Sequence, residues 1–301
     1  MTDSIRGSIW GLIVGDALGV PVEFCDREER REDPVTDMRE YGSHRQPRGT
    51  WSDDSSMMLA TLDSIADCGE INCDDIMERF ASWLFDGEYT PYGETFDYGG
   101  ATYTAISRYR NGAAPSDCGG RGECDNGNGS LMRILPAVLF WMTKGDASDT
   151  DPVQKVSALT HAHPVSKAGC SLYSQYIEAI AHGKDLNTVV WQEHEGINAY
   201  HRLRELRSFA ALPEEEIKSG GYVVSTLEAA IWCFLNTGSY AECVLKAVNL
   251  GHDTDTTAAV AGSIAGAYYG TDGIPADWLG CIAEKDRIAD MISRFEEVLN
   301  N

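Results

Sequence analysis

Carboxylates and hydroxyls crowd one short stretch near the carboxyl end of the chain. Residues 251–258 read GHDTDTTA, so Asp253, Asp255 and Thr256 immediately precede a run of small residues that has the composition of a closely packed helix. Free amides and the helix dipole favour negative charge at a helix N-terminus, which explains one aspartate as a cap but not two aspartates and a threonine. Because like charges about 4 Å apart repel by roughly 1 kcal/mol even in water, the stretch indicates a bound cation.

A second cluster of the same chemistry lies two hundred residues earlier. Residues 49–56 read GTWSDDSS, and Ser52, Asp53 and Asp54 again open a predicted helix. Taken alone, this cluster is explained equally well by helix capping. Together the two clusters supply an all-oxygen ligand set that suits Mg²⁺ or Mn²⁺. Four carboxylates would balance two divalent ions, and paired metals are a recurrent hydrolytic arrangement.

The elements that must position these clusters are predicted to be helices. Apolar residues recur with a period of 3.6 and hardly ever with a period of 2, and breaks rich in Gly, Pro and Asp fall at residues 42–50, 86–100, 111–130 and 145–152. We therefore expect one all-α domain over residues 1–301, made of many short helices. The polar segment 192–220 is expected to be a surface helix and loop with a solvated face. The apolar helical faces are Ile5, Ile9, Leu12 and Ile13; Met58, Leu62 and Ile65; Ile76, Phe80, Trp83 and Leu84; Tyr173, Tyr176, Ile177 and Ile180; and Leu227, Ile231 and Phe234.

Composition narrows the classes of partner. The chain has 301 residues, 43% of them hydrophobic, and a formal net charge of -23, which would repel nucleic acid and anionic lipid. The same negative charge would repel a phosphate-bearing ligand unless metal ions or backbone amides make the electrostatic potential positive at the binding site. No apolar run approaches the roughly 20 residues that cross a bilayer, and the start is too acidic for a secretory signal. Nine cysteines without a CxxC pair predict reduced thiols rather than disulfides or structural zinc. We expect a cytoplasmic protein that binds neither nucleic acid nor membrane, with a monomer favoured.

Four segments resemble the ADP-ribosylglycohydrolase family. They are residues 11–24 (GLIVGDALGVPVEF), 50–59 (TWSDDSSMML), 126–136 (NGNGSLMRILP) and 251–270 (GHDTDTTAAVAGSIAGAYYG), with weaker matches at 159–164 and 221–232. The likeness runs in order along nearly the whole chain. It implies a compact all-helical domain with two metal ions in a central cleft.

The resemblance implies roles for the acidic residues. Ser52, Asp53 and Asp54 would supply one half of the metal ligands, and Asp253, Asp255 and Thr256 the other half. Three further residues are assigned on the same basis. Glu23 matches a glutamate placed over the metals as a general acid/base or a gate; without the family it would be an ordinary exposed acid. Asp16 would be structural, as a cap or as support for the loop of Glu23. His252 stands where relatives usually have glycine; its imidazole would hydrogen-bond a ligand carboxylate or point away from the site, and we expect the second.

The resemblance also implies a set of substrate contacts. The glycine-dense loop 119–130 would bring backbone amides against a diphosphate, and Arg133 would contact phosphate or form a buried salt bridge. His161 would lie near the ligand or be a satisfied core histidine, and Tyr222 would offer an aromatic face to adenine. The positions predicted to bind ADP-ribose are Asp97, Gly99, Gly100, Thr102, Gly127, Asn128, Gly129, Ser130, Met132, His161 and Tyr222.

The function implied is metal-dependent hydrolysis of an ADP-ribosyl bond at C1″. Glu23, or a metal-held aspartate such as Asp54 or Asp253, would transfer the proton. The substrate would be an ADP-ribosylated protein, with arginine the favoured acceptor over serine, or a small ADP-ribosylated molecule. Two alternatives stay open: a catalytically silent relative that holds ADP-ribose or metal, and a two-metal phosphatase or nucleotide pyrophosphatase. The identity of the released product separates hydrolysis at C1″ from the phosphatase alternative.

Overall fold

The computed structural model describes residues 2–145 and 152–301, and this part of the chain is built from helices. Short 3₁₀ helices at Val20–Val22, Gly42–His44, Leu186–Thr188, Ile197–Arg204, Glu214–Glu216 and Thr271–Gly273 connect them. The α-helices are α1 (Thr2–Gly19), α2 (Arg27–Glu32), α3 (Asp53–Cys68), α4 (Cys73–Asp86), α5 (Gly100–Arg110), α6 (Pro115–Cys118), α7 (Leu135–Lys144), α8 (Pro152–Ala158), α9 (Pro164–Ala181), α10 (Leu206–Ala210), α11 (Val223–Leu235), α12 (Tyr240–Val248), α13 (Thr254–Tyr269), α14 (Ala276–Cys281) and α15 (Lys285–Asn300).

The all-α prediction is confirmed. Over residues 2–145 and 152–301 the extended pairing amounts to isolated bridges, and the five predicted apolar faces lie on α1, α3, α4, α9 and α11. The breaks at 42–50 and 86–100 fall between α-helices, and the break at 111–130 contains just the four-residue α6. The predicted break at 145–152 lies mostly outside the described residues.

Helices α1 and α13 pack backbone against backbone. Glycines recur at every fourth position of α1, which places them on one face, and an added Cβ at Gly7, Gly11 or Gly15 would clash with a carbonyl oxygen of α13. The oxygens met are those of residues 266, 262 and 258 in that order, so the two helices run antiparallel. This packing brings the C-terminal end of α1 beside the N-terminal end of α13, where Gly19 touches the backbone of Asp255.

Helix α1 corrects the expectation that no apolar run is long enough to cross a membrane. Residues Thr2–Val22 form one stretch of 21 residues that contains an 18-residue window with a mean hydropathy of 1.3, which meets that requirement by length and composition. In the structure 94% of its apolar window is buried inside the protein. The close packing on α13 identifies it as a core helix.

The prediction of a solvated face for residues 192–220 is wrong for its central part. Apolar residues there repeat at intervals of three rather than 3.6, which suits the three residues per turn of a 3₁₀ helix and escapes a search for α-helical periodicity. The 3₁₀ helix Ile197–Arg204 and α10 therefore bury a continuous apolar stripe. Its members are Ile197, Tyr200, Leu203, Leu206 and Phe209.

The cysteines form no disulfide, as predicted. All nine are free thiols. Cys118, Cys170, Cys233 and Cys243 are buried in the core, and burial raises the pKa of Cys243 to about 12. A thiol with so high a pKa is unreactive, which fits a packing role.

Candidate metal centre and active site

The two acidic clusters meet where the N-termini of α3 and α13 converge. Ser52 is the N-cap of α3, and its hydroxyl accepts a hydrogen bond from the Asp54 amide. The Asp54 Oδ2 atom in turn accepts hydrogen bonds from Ser52 Oγ at 3.1 Å and from Thr256 Oγ1 of α13 at 3.2 Å. Residues 202 positions apart in sequence are thereby joined directly.

Asp16 of α1 holds the first turn of α3 in place. Its carboxylate accepts hydrogen bonds from the Ser52 amide at 3.0 Å, the Ser55 amide at 3.0 Å and the Ser55 hydroxyl at 2.6 Å. Burial raises the pKa of Asp16 to about 6, although these hydrogen bonds oppose the rise. The predicted capping role is confirmed, but Asp16 supports the helix that carries Asp53 and Asp54 rather than the loop of Glu23.

The remaining carboxylates have the character of a cation site. Asp54 Oδ1 and Asp255 Oδ2 are buried without any hydrogen-bond partner, which is costly for a polar atom. Burial, reinforced by repulsion from neighbouring carboxylates, raises the pKa of Asp53, Asp54 and Asp255 well above the ordinary value. Ligand oxygens of Asp253, Asp255 and Glu23 lie within 4.8 Å of one another. Orphaned oxygens in a cluster of this charge fit a hard divalent cation.

Glu23 reaches the cluster from a loop in an unusual conformation. The following residue, Phe24, has a left-handed backbone (φ 66°), as does His252 (φ 66°) just before Asp253. The Phe24 amide donates to the His252 carbonyl at 2.7 Å, and the His252 amide donates to the Cys25 carbonyl at 2.7 Å. These reciprocal bonds tie the Glu23 loop to the start of α13. His252 itself is exposed, in agreement with the prediction that it points away.

His44 is a site residue that sequence reasoning missed. Its Nε2 atom lies 2.5 Å from Oε2 of the buried Glu23 and 3.9 Å from Oδ2 of Asp97. Burial, followed by repulsion from Asp97 and Asp253, raises the pKa of Glu23 to about 11. His44 sits in the 3₁₀ helix of a Gly- and Pro-containing loop, where no apolar period or motif marks it.

A cavity of about 320 Å³ opens above the carboxylates. Among the described residues that line it, none is Lys or Arg. A wider groove of about 480 Å³ near Leu186 and Tyr268 shares no residue with it and lacks the acidic cluster. The cavity lining comprises Glu23, Asp53, Asp97, Gly99, Gly100, Ala101, Thr102, Cys124, Gly127, Asn128, Gly129, Met132, His161, Gly221, Asp253 and Thr256.

Glycine backbones line a second part of this cavity, here called the glycine end, as distinct from the acidic end with Glu23, Asp53 and Asp253. Gly99 is the N-cap of the eleven-residue helix α5 and provides no side-chain cap, so the first amides of α5 are left for another acceptor. A Cβ added at Gly99 or Gly100 would meet nothing within 4 Å, which shows open space rather than tight packing. Gly129 is different, because a Cβ there would lie 2.7 Å from Cε1 of His161.

His161 is a buried neutral donor at the glycine end. Its Nδ1 lies 2.8 Å from the Thr160 hydroxyl, and that oxygen accepts a hydrogen bond from Arg133 at 2.7 Å. The Thr160 hydroxyl can donate its own proton to Nδ1, which would leave the ring proton on Nε2. Burial, and then the charge of Arg133, lowers the pKa of His161 to about 3.

Arg133 has neither of the two roles expected for it, a contact with phosphate or a buried salt bridge. The side chain is fully buried and its guanidinium lies 4.6 Å from the centroid of the Phe80 ring. Within residues 2–145 and 152–301 it has no carboxylate partner, and it does not line the cavity. It supports His161 through Thr160 instead of contacting phosphate or forming a salt bridge.

Of the other predicted contacts, Asn128 lines the cavity, whereas Ser130 and Tyr222 do not. Asn128 donates to Asp253 Oδ2 at 2.8 Å and to Thr226 Oγ1 at 3.0 Å, and so connects the glycine loop with the acidic cluster. Ser130 is fully buried against Ser157 and Cys170 and does not line the cavity. Tyr222 lies outside the cavity, 41% exposed, with its backbone bridged to Gly127.

Known proteins share this arrangement of sequence and fold. The family model for ADP-ribosylglycohydrolase matches residues 1–301. The chain is 31% identical over 293 residues to an ADP-ribosylarginine hydrolase of Serratia proteamaculans, covering 97% of this chain and 79% of that protein. It is 32% identical over 287 residues to the ADP-ribosyl-[dinitrogen reductase] glycohydrolase of Rhodospirillum rubrum, covering 92% and 89% respectively. A solved structure described as an ADP-ribosylglycohydrolase-related protein complex superposes with a TM-score of 0.82 at 29% identity, covering 99% of this chain and 98% of the other.

Proposed function

The chain belongs to the ADP-ribosylglycohydrolase family, hydrolases that act on glycosyl bonds, and from this premise we propose that it releases ADP-ribose from arginine side chains. The bond cleaved would join C1″ of the distal ribose to the guanidinium. One observation carries the proposal: a single cavity has Glu23, Asp53 and Asp253 of the acidic cluster at its acidic end and open glycine backbones at its glycine end. A ligand with a ribose and a diphosphate matches those two ends.

We propose two Mg²⁺ or Mn²⁺ ions as cofactors, since the family is metal-dependent in general. When bound, such ions supply Lewis acidity and a template for the ribose hydroxyls and the attacking water. The orphaned oxygens of Asp54 and Asp255 support this assignment. The proposed ligands are Ser52, Asp53, Asp54, Asp253, Asp255 and Thr256.

The protein's own residues would manage the proton and the geometry. Cleavage of a glycosyl bond places positive charge on the ribose, and the departing group must be protonated. Glu23 is the proposed proton carrier because its carboxylate lies beside those of Asp253 and Asp255 and the contact with His44 Nε2 fixes its orientation. Asn128 would hold Asp253 in position through the bond between Nδ2 and Oδ2.

The diphosphate would bind at the glycine end. With no Lys or Arg among the described lining residues, the proposed donors are the first amides of α5, the amides of Gly127 and Gly129 and the ring of His161. Backbone amides at a helix N-terminus suit an anion. Tyr222, next to this end, would offer its exposed ring to adenine.

The proposed partner is a protein ADP-ribosylated on arginine. A net charge of -23 favours approach of a cationic target and disfavours nucleic acid. The free cysteines fit the proposed cytoplasmic location, and a single 1–301 domain acting as a monomer is part of the proposal.

Product identification tests the proposal. Purified protein is offered substrates ADP-ribosylated on arginine, on serine and on a small acceptor, with Mg²⁺ or Mn²⁺ and with EDTA. Intact ADP-ribose released fastest from arginine, and lost with EDTA, supports the assignment. Release of AMP or inorganic phosphate would identify a pyrophosphatase or phosphatase instead, and binding of ADP-ribose without turnover would identify a silent relative.

A further inference from the structure

Three rings stand in a row beside the acidic end of the cavity. The His44 ring lies between Phe24, with centroids 5.7 Å apart, and Phe96, with centroids 5.2 Å apart. The same His44 ring contacts the Glu23 carboxylate and approaches that of Asp97. The rings therefore form an aromatic edge directly next to two acids.

Phe24 is not placed there by the hydrophobic core. Its side chain is 70% exposed, so folding buries little of the ring. Its left-handed backbone (φ 66°) is unfavourable for a bulky residue. Exposure of an aromatic ring on a strained backbone, beside a catalytic cavity, is expected where the ring meets a ligand rather than the core.

The position of the rings tells which part of a substrate they would meet. If Glu23 protonates the departing group, as proposed above, then that group lies within reach of the Glu23 carboxylate and therefore beside His44, which contacts it. Asp97 lines the cavity on this side and is itself in a left-handed conformation (φ 52°). Aromatic faces combined with carboxylates favour a flat cation such as a guanidinium.

We propose that Phe24, His44 and Phe96, together with the Asp97 carboxylate, form the subsite that binds the guanidinium of the acceptor arginine. The inference rests on the proposed function, and adds to it the residues that distinguish arginine from a neutral acceptor. Phe24 and Phe96 present ring faces, Asp97 supplies the opposite charge, and His44 holds the two rings apart.

The experiment compares a cation with its neutral analogue at this subsite. Wild type, Phe24→Ala, Phe24→Leu and Phe24→Tyr are assayed on ADP-ribosylarginine, with arginine methyl ester or the uncharged citrulline methyl ester added as the competing acceptor. Affinity for ADP-ribose is measured by calorimetry. Tyr268→Ala is the matched control, because Tyr268 is also a highly exposed aromatic residue, at 61%, but lies away from the cavity.

We expect Phe24→Ala and Phe24→Leu to lower kcat/KM for ADP-ribosylarginine by about fivefold to tenfold, the loss expected for one cation–π contact. Inhibition by arginine methyl ester should weaken by a similar factor, whereas affinity for ADP-ribose stays within twofold. Phe24→Tyr should retain both properties, and citrulline methyl ester should inhibit poorly in every variant.

The outcomes separate the subsite from the proposed function. If Phe24→Ala matches Tyr268→Ala on ADP-ribosylarginine, or loses affinity for ADP-ribose itself, the subsite assignment is overturned while arginine hydrolysis stands. Equal inhibition of wild type by the charged and neutral esters would overturn it as well. A wild-type protein that does not cleave ADP-ribosylarginine contradicts the proposed function, and the subsite with it.

Discussion

The site has two sides that are built in different ways: the buried acidic cluster on packed helices, here called the helical wall, and the loops beside it, here called the loop wall. On one wall, Asp16, Asp54 and Asp255 lie on packed helices, are buried almost completely and have helical backbones. On the other wall, Phe24 and Asp97 lie in loops with left-handed backbones and reach solvent in part. The first wall concentrates negative charge on packed helices, and the second places the rings of Phe24, His44 and Phe96 next to it.

The difference separates two tasks that an ADP-ribosylglycohydrolase must perform. In the proposed function, the carboxylates hold the ribose, which every ADP-ribosylated substrate carries, and they would gain from rigid placement by helix packing. The acceptor is what differs between substrates, and loops tolerate change better than packed helices. Changes on the helical wall should therefore affect every substrate, whereas changes on the loop wall should affect acceptors selectively.

The largest effect is expected from the helical wall. Asp54→Asn or Asp255→Asn should reduce kcat by on the order of a thousandfold, since a divalent cation supplies several kcal/mol of catalysis. The metal-free variant should melt at a higher temperature than wild type, because removing one of several buried like charges relieves repulsion. Turnover and thermal unfolding with EDTA measure both. A variant that keeps activity, or that melts lower without metal, would contradict the role assigned to these oxygens.

A smaller effect is expected at the junction of the two walls. Glu23→Gln should lower kcat by about a hundredfold, within the usual range for loss of a general acid or base. Affinity for ADP-ribose should change less than twofold, because the glycine end is untouched. Single-turnover kinetics and calorimetry test the prediction. A loss confined to binding would make Glu23 a gate or a contact rather than a proton carrier.

The packing that positions the helical wall can be tested away from the chemistry. Gly15→Ala would force a methyl group onto the Ala258 carbonyl of α13 and should cost about 1–3 kcal/mol of unfolding free energy. Because α1 carries Asp16 and α13 carries Asp255, activity should fall on arginine and serine substrates alike. Denaturant unfolding measures the loss. Gly280→Ala is the control, since a Cβ there meets nothing within 4 Å, and it should be neutral or slightly stabilising.

The smallest effect is a pH dependence of metal stabilisation. Burial raises the pKa of Asp53, Asp54 and Asp255 in the folded protein. A carboxyl group whose pKa is higher in the folded state favours folding most at low pH. This contribution to the free energy of unfolding is lost as the pH rises above about 4, the pKa of aspartate in the unfolded chain. Bound metal replaces the lost protons, so the increase in Tm caused by Mn²⁺ should be about 5 °C larger at pH 8 than at pH 5.

Scanning calorimetry with and without Mn²⁺ at each pH measures this difference directly. Carboxylates far from the site affect Tm equally with and without Mn²⁺, so their effect is removed when the two Tm values at one pH are subtracted. An equal increase in Tm at both pH values would show that the buried carboxylates are not the groups that the metal contacts.

The helical wall is also the part of the site that the sequence predicted best. The clusters at residues 52–54 and 253–256 each begin a helix with a clear apolar or small-residue face, and hydroxyls beside paired carboxylates are rare enough to be noticed. Their meeting depends on the glycine spacing of α1, a pattern that is also visible in the sequence. At this wall the residues that mark the start of each helix and the glycines that let the helices pack closely predict the same arrangement.

The loop wall escaped prediction for physical reasons. His44 and Phe96 belong to segments without periodicity, and their contacts follow from left-handed residues such as Tyr41 and Arg45, which no short motif specifies. Both roles expected for Arg133, a phosphate contact and a buried salt bridge, give its guanidinium a charged partner, as is usual for a buried arginine. Its stacking on Phe80 depends on tertiary packing that a linear pattern does not contain.

X-ray data collected at the manganese absorption edge, from crystals of the full chain grown with Mn²⁺, test the central claim most directly. We expect two anomalous peaks roughly 3.5–4 Å apart, in contact with carboxylates of both the Ser52–Asp54 and the Asp253–Thr256 clusters. Density that places manganese on surface acids alone, with none between Asp54 and Asp255, would contradict the account.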